Sequence, residues 1–285
     1  MPLIHYYAVD LESFVFSGAP KYARLSPVER KRLDGETVVR HTDQLLSLLQ
    51  RNKTKLSFFI VGEIHDWYPD LVDSIRSEGH EICYHTQNHT YLKRPGILAK
   101  ELEQSGEFLK RFSVRGFQAP AIILHKEDYR LLAESGIKYS ASVYSANEPY
   151  EMDGVLEIPV STRPMGTPHI QVAYPARMSF RMLTRELPFG SSLLLKVLGW
   201  RRISAFIREL EVRGRSANLF IHNWQLFQEP GAAVRDRIRE AIMNPLVIPY
   251  SFNVLNDFEC LLKEHPFGRL DTALAKHVTK GSSGR

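Results

Sequence analysis

Short runs of β-branched and aromatic residues alternate with helix-period segments along almost the whole chain, and this alternation limits the possible folds. His5–Leu11 reads as a strand that ends at acidic residues. Leu56–Val61 (LSFFIV) reads as a strand buried on both faces. Glu81–Tyr84, Gly116–Ala119, Tyr139–Val143, Leu156–Val160 and Asn218–Ile221 follow as further strands. The first helical segment runs from a cap at Asp34 or Thr37 to Gln50. The next, Asp66–Glu78, has Pro69 in its first turn and Gly79 past its end. Leu98–Phe112, Lys126–Ser135 and Ala232–Met243 are also helical, and Ser191–Val212 reads as one long amphipathic helix. Strands alternating with helices predict a mainly parallel sheet or barrel.

No Gly/Ser linker and no internal repeat divides the chain. A single domain is expected over residues 1–265, followed by a C-terminal extension, 266–285, whose end at Lys280–Arg285 is expected to be disordered. The hydrophobic share of 44%, with 17 Gly and 16 Pro in 285 residues, excludes a collagen-like or disordered chain. No uncharged apolar run reaches the ~18 residues of a membrane span. Met1–Asp10 has neither the basic start nor the long apolar stretch of a secretory leader. Two cysteines, Cys83 and Cys260, make no disulfide framework, so a reducing, cytoplasmic location is the expectation. The net charge of +5 would favour anionic partners, but no basic block or aromatic RNA-binding motif accompanies it, so no nucleic acid is expected.

Three features fall at the C-terminal ends of strands, where parallel α/β folds build their sites. Asp10 and Glu12 are two residues apart and so point to the same side of an extended chain. One can bind a cation while the other serves as a base; the plain alternative is two solvated acids at a strand–loop junction. His85 and His89, four apart, would share one face of a helical turn, and an imidazole pair suits Zn²⁺ or another divalent transition metal. Two surface histidines are the alternative. His222 closes the apolar strand Leu219–His222 and is placed for acid–base work, although a lone histidine there is more commonly a hydrogen-bonded core residue. Together these residues supply one divalent metal, a base and an acid, the equipment for metal-assisted hydrolysis of an amide or ester. Asp10 would take the proton of water, His222 would protonate the leaving group, and a backbone N–H near Pro120 would help hold the oxyanion.

The order of these pieces resembles the NodB-type polysaccharide deacetylases. That family has paired acids after an early strand, then H-[ST]-x-x-H, R-x-P and a late L-x-H. The corresponding residues here are Asp10 and Glu12, His85-Thr86-x-x-His89, Gln118-Ala119-Pro120, and Leu219 through His222. The resemblance covers residues 5 to about 225. It implies a distorted (β/α) barrel with fewer than eight strands, a divalent metal, usually zinc, and removal of an acyl group from a sugar. By the same resemblance Asp10 is the base, and Glu12, His85 and His89 are the metal ligands. The D-x-E spacing is similar to one branch of the family. Leu156–Thr162 with Phe180-Arg181 is similar to members associated with exopolysaccharide biosynthesis. Two departures stand out: Gln118 replaces the family's Arg, and no Asp is found near Tyr139–Ser142. Asp10 would then lack a cationic neighbour, so its pKa should lie higher than in the usual arrangement.

The expected substrate is an acylated sugar, with a sugar nucleotide or lipid-linked saccharide fitting the expected location. Gln118, Pro120, Tyr144 and Trp224 are candidates for substrate contact, with Tyr144, Tyr150 and Trp224 as aromatic platforms. The basic segment 179–213, including Trp200-Arg201-Arg202, could make peripheral contact with an anionic membrane. An ordinary barrel helix with a basic outer face is the preferred reading. Two other functions remain open. One is a non-sugar C–N hydrolase acting on a formamide or cyclic ureide. The other is a saccharide-binding relic without turnover, for which Gln118 is the main support. His65, His80, His125 and His169 have no ligand spacing, and Cys83 reads as a small core residue.

Overall fold

A computed structural model describes residues 3–17, 22–166, 172–178, 180–227 and 253–282. Its strands are β1 (His5–Leu11), β2 (Ser57–Ile60), β3 (Glu81–Tyr84), β4 (Gly116–Phe117), β5 (Tyr139–Ser140), β6 (Tyr144–Ser145), β7 (Tyr150–Met152), β8 (Val155–Glu157), β9 (Val160–Ser161), β10 (Arg163–Pro164), β11 (Glu186–Leu187), β12 (Asn218–His222) and β13 (Phe267–Gly268). The main sheet runs β12-β1-β2-β3-β4-β5-β8 in parallel, with β7 antiparallel to β8 at its edge. The parallel sheet is the one expected from the strand–helix alternation, and its distorted, incomplete barrel is the form the family resemblance implies. Among the described residues β12 and β7 do not pair, so the curled sheet stays open.

The period of two along each strand sorts the side chains. Tyr7, Val9, Leu11, Phe58, Ile60, Tyr84, Phe117, Leu219 and Ile221 face outward and bury against the helices, including Val38, Leu45 and Leu49 of Thr37–Arg51 and Val72 and Ile75 of Pro69–Ser77. Tyr6, Ala8, Phe59, Cys83, Tyr139, Leu156 and Phe220 form a second cluster inside the curl. Gly116 is required there: a Cβ at that position would lie 2.3 Å from the Tyr139 ring.

Several elements are shorter than the periodicity predicted. Ser191–Val212 is two helices, Ser192–Leu198 and Trp200–Val212, broken by Gly199 at φ 72°, ψ 156°. Asp66–Glu78 resolves into Gly62–Trp67 and Pro69–Ser77, because a proline disfavours helical backbone at the preceding Tyr68. Leu98–Phe112 splits at Ser105 into Ile97–Gln104 and Gly106–Phe112. The expected strand 139–143 shortens to β5, with β6 starting just past it, and 156–160 divides between β8 and β9, which Pro159, having no N–H to give the ladder, separates. Pro27–Asp34 is a further helix, opened by a capping box in which the Ser26 backbone N–H donates to Glu29 at 2.8 Å. The predicted helix Ala232–Met243 lies outside the described residues.

The C-terminal segment does not trail from the domain. β13 pairs in parallel with the start of β1, and a helix runs from Asp271 to Ser282. Leu270 is fully buried, and its N–H donates to Ser57 Oγ at 2.8 Å, closing the lower end of the curl. No helix among the described residues is long and apolar enough to cross a membrane.

Candidate active site and metal centre

The alternation that buries Tyr6 and Ala8 inside the curl carries Asp10 to the same face, with Glu12 one step beyond. On β3 the inward residue Cys83 is followed two places later by His85. On β12 the inward Phe220 is followed by His222. β1 and β12 are parallel neighbours in register, Asp10 opposite His222. Strand order and parity therefore gather four of the five predicted site residues at one rim, and the loop after β3 brings in the fifth, His89.

That loop is not the helical turn expected. Thr86 and His89 are both left-handed, with φ of 62° and 54°. The backbone N–H groups of Gln87 and Asn88 donate to the buried Glu101 Oε2 at 2.8 and 3.0 Å, and Thr90 N–H donates to Thr86 Oγ1 at 3.1 Å. The turn folds back so that His89 Nε2 lies 2.6 Å from Glu12 Oε2. Glu12, His85 and His89 offer ligand atoms that all fall within 4.8 Å of one another. His85 Nδ1 lies 2.8 Å from the Gln118 carbonyl, so a proton on Nδ1 is donated there and Nε2 keeps its lone pair for a cation.

The electrostatics match a ligand set. Burial pushes the Glu12 carboxyl up, but the His89, His222 and His85 imidazoles outweigh it and hold Glu12 well below the usual carboxylate range. Burial, with His89 adding to it, drives His85 down to about 3, which keeps it in the neutral form that binds metal. Burial and the neighbouring Glu12 charge push Asp10 well above the usual range. Asp10 Oδ1 is buried without a hydrogen-bond partner among the described residues.

His222 faces both carboxylates through Nε2, 3.7 Å from Asp10 Oδ2 and 3.5 Å from Glu12 Oε1. Its Nδ1 lies 2.9 Å from Gln225 Oε1 and 3.3 Å from Ser192 Oγ, and burial lowers its pKa. The short helix Asn223–Leu226 adds two contacts to Glu12. Asn223 Oδ1 accepts the Glu12 backbone N–H at 3.3 Å, and Trp224 Nε1 donates to Glu12 Oε1 at 3.0 Å.

The candidates for substrate contact are placed differently. Gln118 is fully buried; its Nε2 donates to the Ala141 carbonyl at 3.1 Å, and its own carbonyl faces His85. Pro120 is buried and opens a short turn that leaves Ala121 exposed. Tyr144 is 8% exposed, in the cluster inside the curl, where an open platform would need a free face. Tyr150 is half-buried and bonds Tyr174 at 3.3 Å, while Trp224 borders the site. Cys83 is buried against the Tyr139 hydroxyl at 3.1 Å, as a core residue. His65 packs on Phe108 and Phe112, His80 Nδ1 accepts from Leu56 N–H, and His125 Nε2 lies 2.9 Å from the Leu92 carbonyl, all apart from the site. His169 lies outside the described residues. Glu101 and Gln225 escaped the sequence reading. Only Gln225 had a visible signal, as a glutamine three residues into a helix that starts at His222.

A second His–Glu–His group joins His5, Glu211 and His265. Ala217 N–H donates to His5 Nδ1 at 3.0 Å, so neutral His5 carries its proton on Nε2 and gives it to Glu211 at 2.9 Å. That nitrogen has no lone pair left for a cation, and the group is a structural clasp.

The sequence pattern of the polysaccharide deacetylase family matches residues 34–117. A peptidoglycan N-acetylglucosamine deacetylase of Bacillus cereus is 43% identical over 51 residues, 18% of this chain and 24% of that protein. A second match to a protein of that description and organism is 29% identical over 86 residues, 30% of each. The matched stretches thus span less than a third of these relatives' length. A structure from Mycobacterium smegmatis assigned to the polysaccharide deacetylases covers 99% of this chain and 96% of its own, at 16% identity and a TM-score of 0.54. A PuuE allantoinase shares the fold at the same TM-score, with 12% identity, 92% of this chain and 85% of that one. The chain is thus similar to the polysaccharide deacetylases in its sequence pattern at residues 34–117, and it shares its fold with the structure from Mycobacterium smegmatis.

Proposed function

We propose that the protein is a metal-dependent hydrolase that removes an N-acyl group, acetyl first, from a sugar or saccharide precursor. The supporting observation is the convergence of Glu12, His85 and His89, with ligand atoms within 4.8 Å of one another, beside Asp10 and His222 on one rim. One carboxylate and two imidazoles are a donor set that zinc accepts with a position left open. The buried Asp10 Oδ1, without a hydrogen-bond partner among the described residues, and the 2.6 Å approach of His89 to Glu12 fit a site organised around a cation. When bound, the metal would polarise the acyl carbonyl and make water easier to deprotonate.

The chain's own groups supply the rest. Asp10 takes the proton of the attacking water; a cation beside it lowers the carboxyl that burial raises, so that it is ionised at working pH. His222 Nε2, on the same side of the rim, gives a proton to the leaving nitrogen. A backbone N–H near Pro120, with that of the exposed Ala121 as the candidate, would help hold the oxyanion. Gln118 takes the place of the family's Arg, and the neutral amide leaves no buried charge unpaired.

Because the fold is shared equally with an allantoinase, fold alone does not separate an acylated sugar from a ureide. Acetate release from N-acetylated sugar nucleotides, lipid-linked sugars and peptidoglycan fragments, compared with allantoin turnover in the presence of zinc, separates them. Asp10→Asn should lower kcat by about 10²–10⁴-fold, the usual share of a general base. Unchanged kcat in that variant would contradict the assignment of Asp10.

A further inference from the structure

Trp224 was expected as an aromatic platform for a sugar, yet its polar atom is already committed. An indole N–H is a donor only, and here it donates to Glu12 Oε1 at 3.0 Å. The other oxygen of the same carboxylate, Oε2, faces His89 at 2.6 Å. The two oxygens of Glu12 are thus divided between an outer donor and the ligand cluster. The same indole lies parallel to the His222 ring, with centroids 5.1 Å apart and planes 15° apart. Asn223, the preceding residue, holds the Glu12 backbone N–H at 3.3 Å. One turn of chain after His222 therefore restrains both the proposed metal-binding carboxylate and the proposed acid.

We propose that Trp224 is a positioning residue, whose indole N–H fixes Glu12 to present Oε2 to a divalent metal and whose ring face holds His222. This rests on the metal-centre reading above and adds to it the residue that orients the carboxylate ligand. A carboxylate free to rotate would divide its time between one- and two-oxygen ligation and between rotamers. A fixed donor on Oε1 removes that freedom and leaves a geometry with room for substrate. Partners of this kind are typically worth about 10–100-fold in metal affinity when removed.

Trp224→Phe separates the two roles, because it keeps an aromatic face and removes only the N–H. Zinc affinity is read by competition with a chromophoric chelator, and Co²⁺ added in place of zinc reports ligand geometry through its visible absorption. The expected result is a loss of about 10–100-fold in zinc affinity and an altered Co²⁺ spectrum, with the thermal midpoint near the parent's. KM for the acylated substrate, measured at saturating zinc, should be unchanged. A folded Trp224→Phe with the parent's zinc affinity and Co²⁺ spectrum would overturn the assignment. If Trp224→Ala also keeps zinc but raises KM, the ring is a substrate platform instead. Should the parent itself take up neither ion, the metal-centre reading fails first and this assignment with it.

Discussion

His85 owes its aim to a backbone group. Its Nδ1 meets the Gln118 carbonyl, while the Gln118 side chain is turned away to the Ala141 carbonyl. Gln118→Ala should therefore leave zinc binding intact while costing about 1–3 kcal/mol of stability, because the buried Ala141 acceptor loses that donor. Urea unfolding alongside a zinc titration reads both quantities; lost zinc affinity would contradict this division of labour. Asp10, Glu12, His85, His89 and His222 were legible because parity on a strand, or a short return after it, is a local property of the chain. Glu101, which anchors the His85–His89 turn, was not, because its partners at Gln87 and Asn88 are 14 and 13 residues away and nothing in their spacing marks the contact. Tyr144 shows the converse error: an aromatic near a strand end looks like a platform until the curl of the sheet encloses it.

At the scale of elements, the alternation of strands and helices carried the mainly parallel sheet. Period alone did not show the breaks. Leu194, Val197, Leu198 and Phe206 continue an apolar stripe across residue 199, so periodicity reads one helix where Gly199 makes two. The backbone there, at φ 72° and ψ 156°, is essentially closed to residues with a Cβ. Gly199→Ala is predicted to destabilise the protein by about 1–3 kcal/mol, since alanine would have to hold that strained geometry or rebuild the junction. Gain of stability, with a rise in helical circular dichroism, would show that the two helices fuse readily and that the break serves nothing. The short strands β4 and β5 were overestimated for a related reason. Phe117 and Ala119 on the outer face of β4, and Tyr139 and Ala141 on the inner face of β5, stay buried past the end of the ladder, and sequence cannot tell burial from pairing.

For the molecule as a whole, one buried acid makes a contribution to the pH response that can be singled out away from the site. Glu157 lies under the helix Asp128–Glu134, accepting from Tyr129 Oη and from Ser142 N–H, each at 2.8 Å. Burial raises its carboxyl to about 7 against its donors. The folded chain then holds a proton that the unfolded chain releases near 4.5, so the contribution of Glu157 to stability should fall as pH rises from about 4.5 to about 7 and level off above, against the opposite contribution of the buried His80, which burial lowers to about 4. The gap corresponds to about 3 kcal/mol. Glu157→Gln should flatten that slope, and an unchanged slope in urea unfolding across pH 4.5–7.5 would reject Glu157 as its source. The C-terminal segment, read as an extension of the domain, joins the main sheet through β13. Phe267, Leu270 and Ala273 seat it, a set too short to register as periodicity.

The central claim is that Glu12, His85 and His89 form one metal centre at the rim of the curled sheet. Metal content per chain, measured by mass spectrometry after purification without chelator, tests it most directly in the parent and in His85→Ala. The account predicts about one zinc or other divalent transition ion per parent chain and its loss in the variant. A parent chain that holds no metal even after zinc is added, or a His85→Ala variant that keeps a full equivalent, would contradict it.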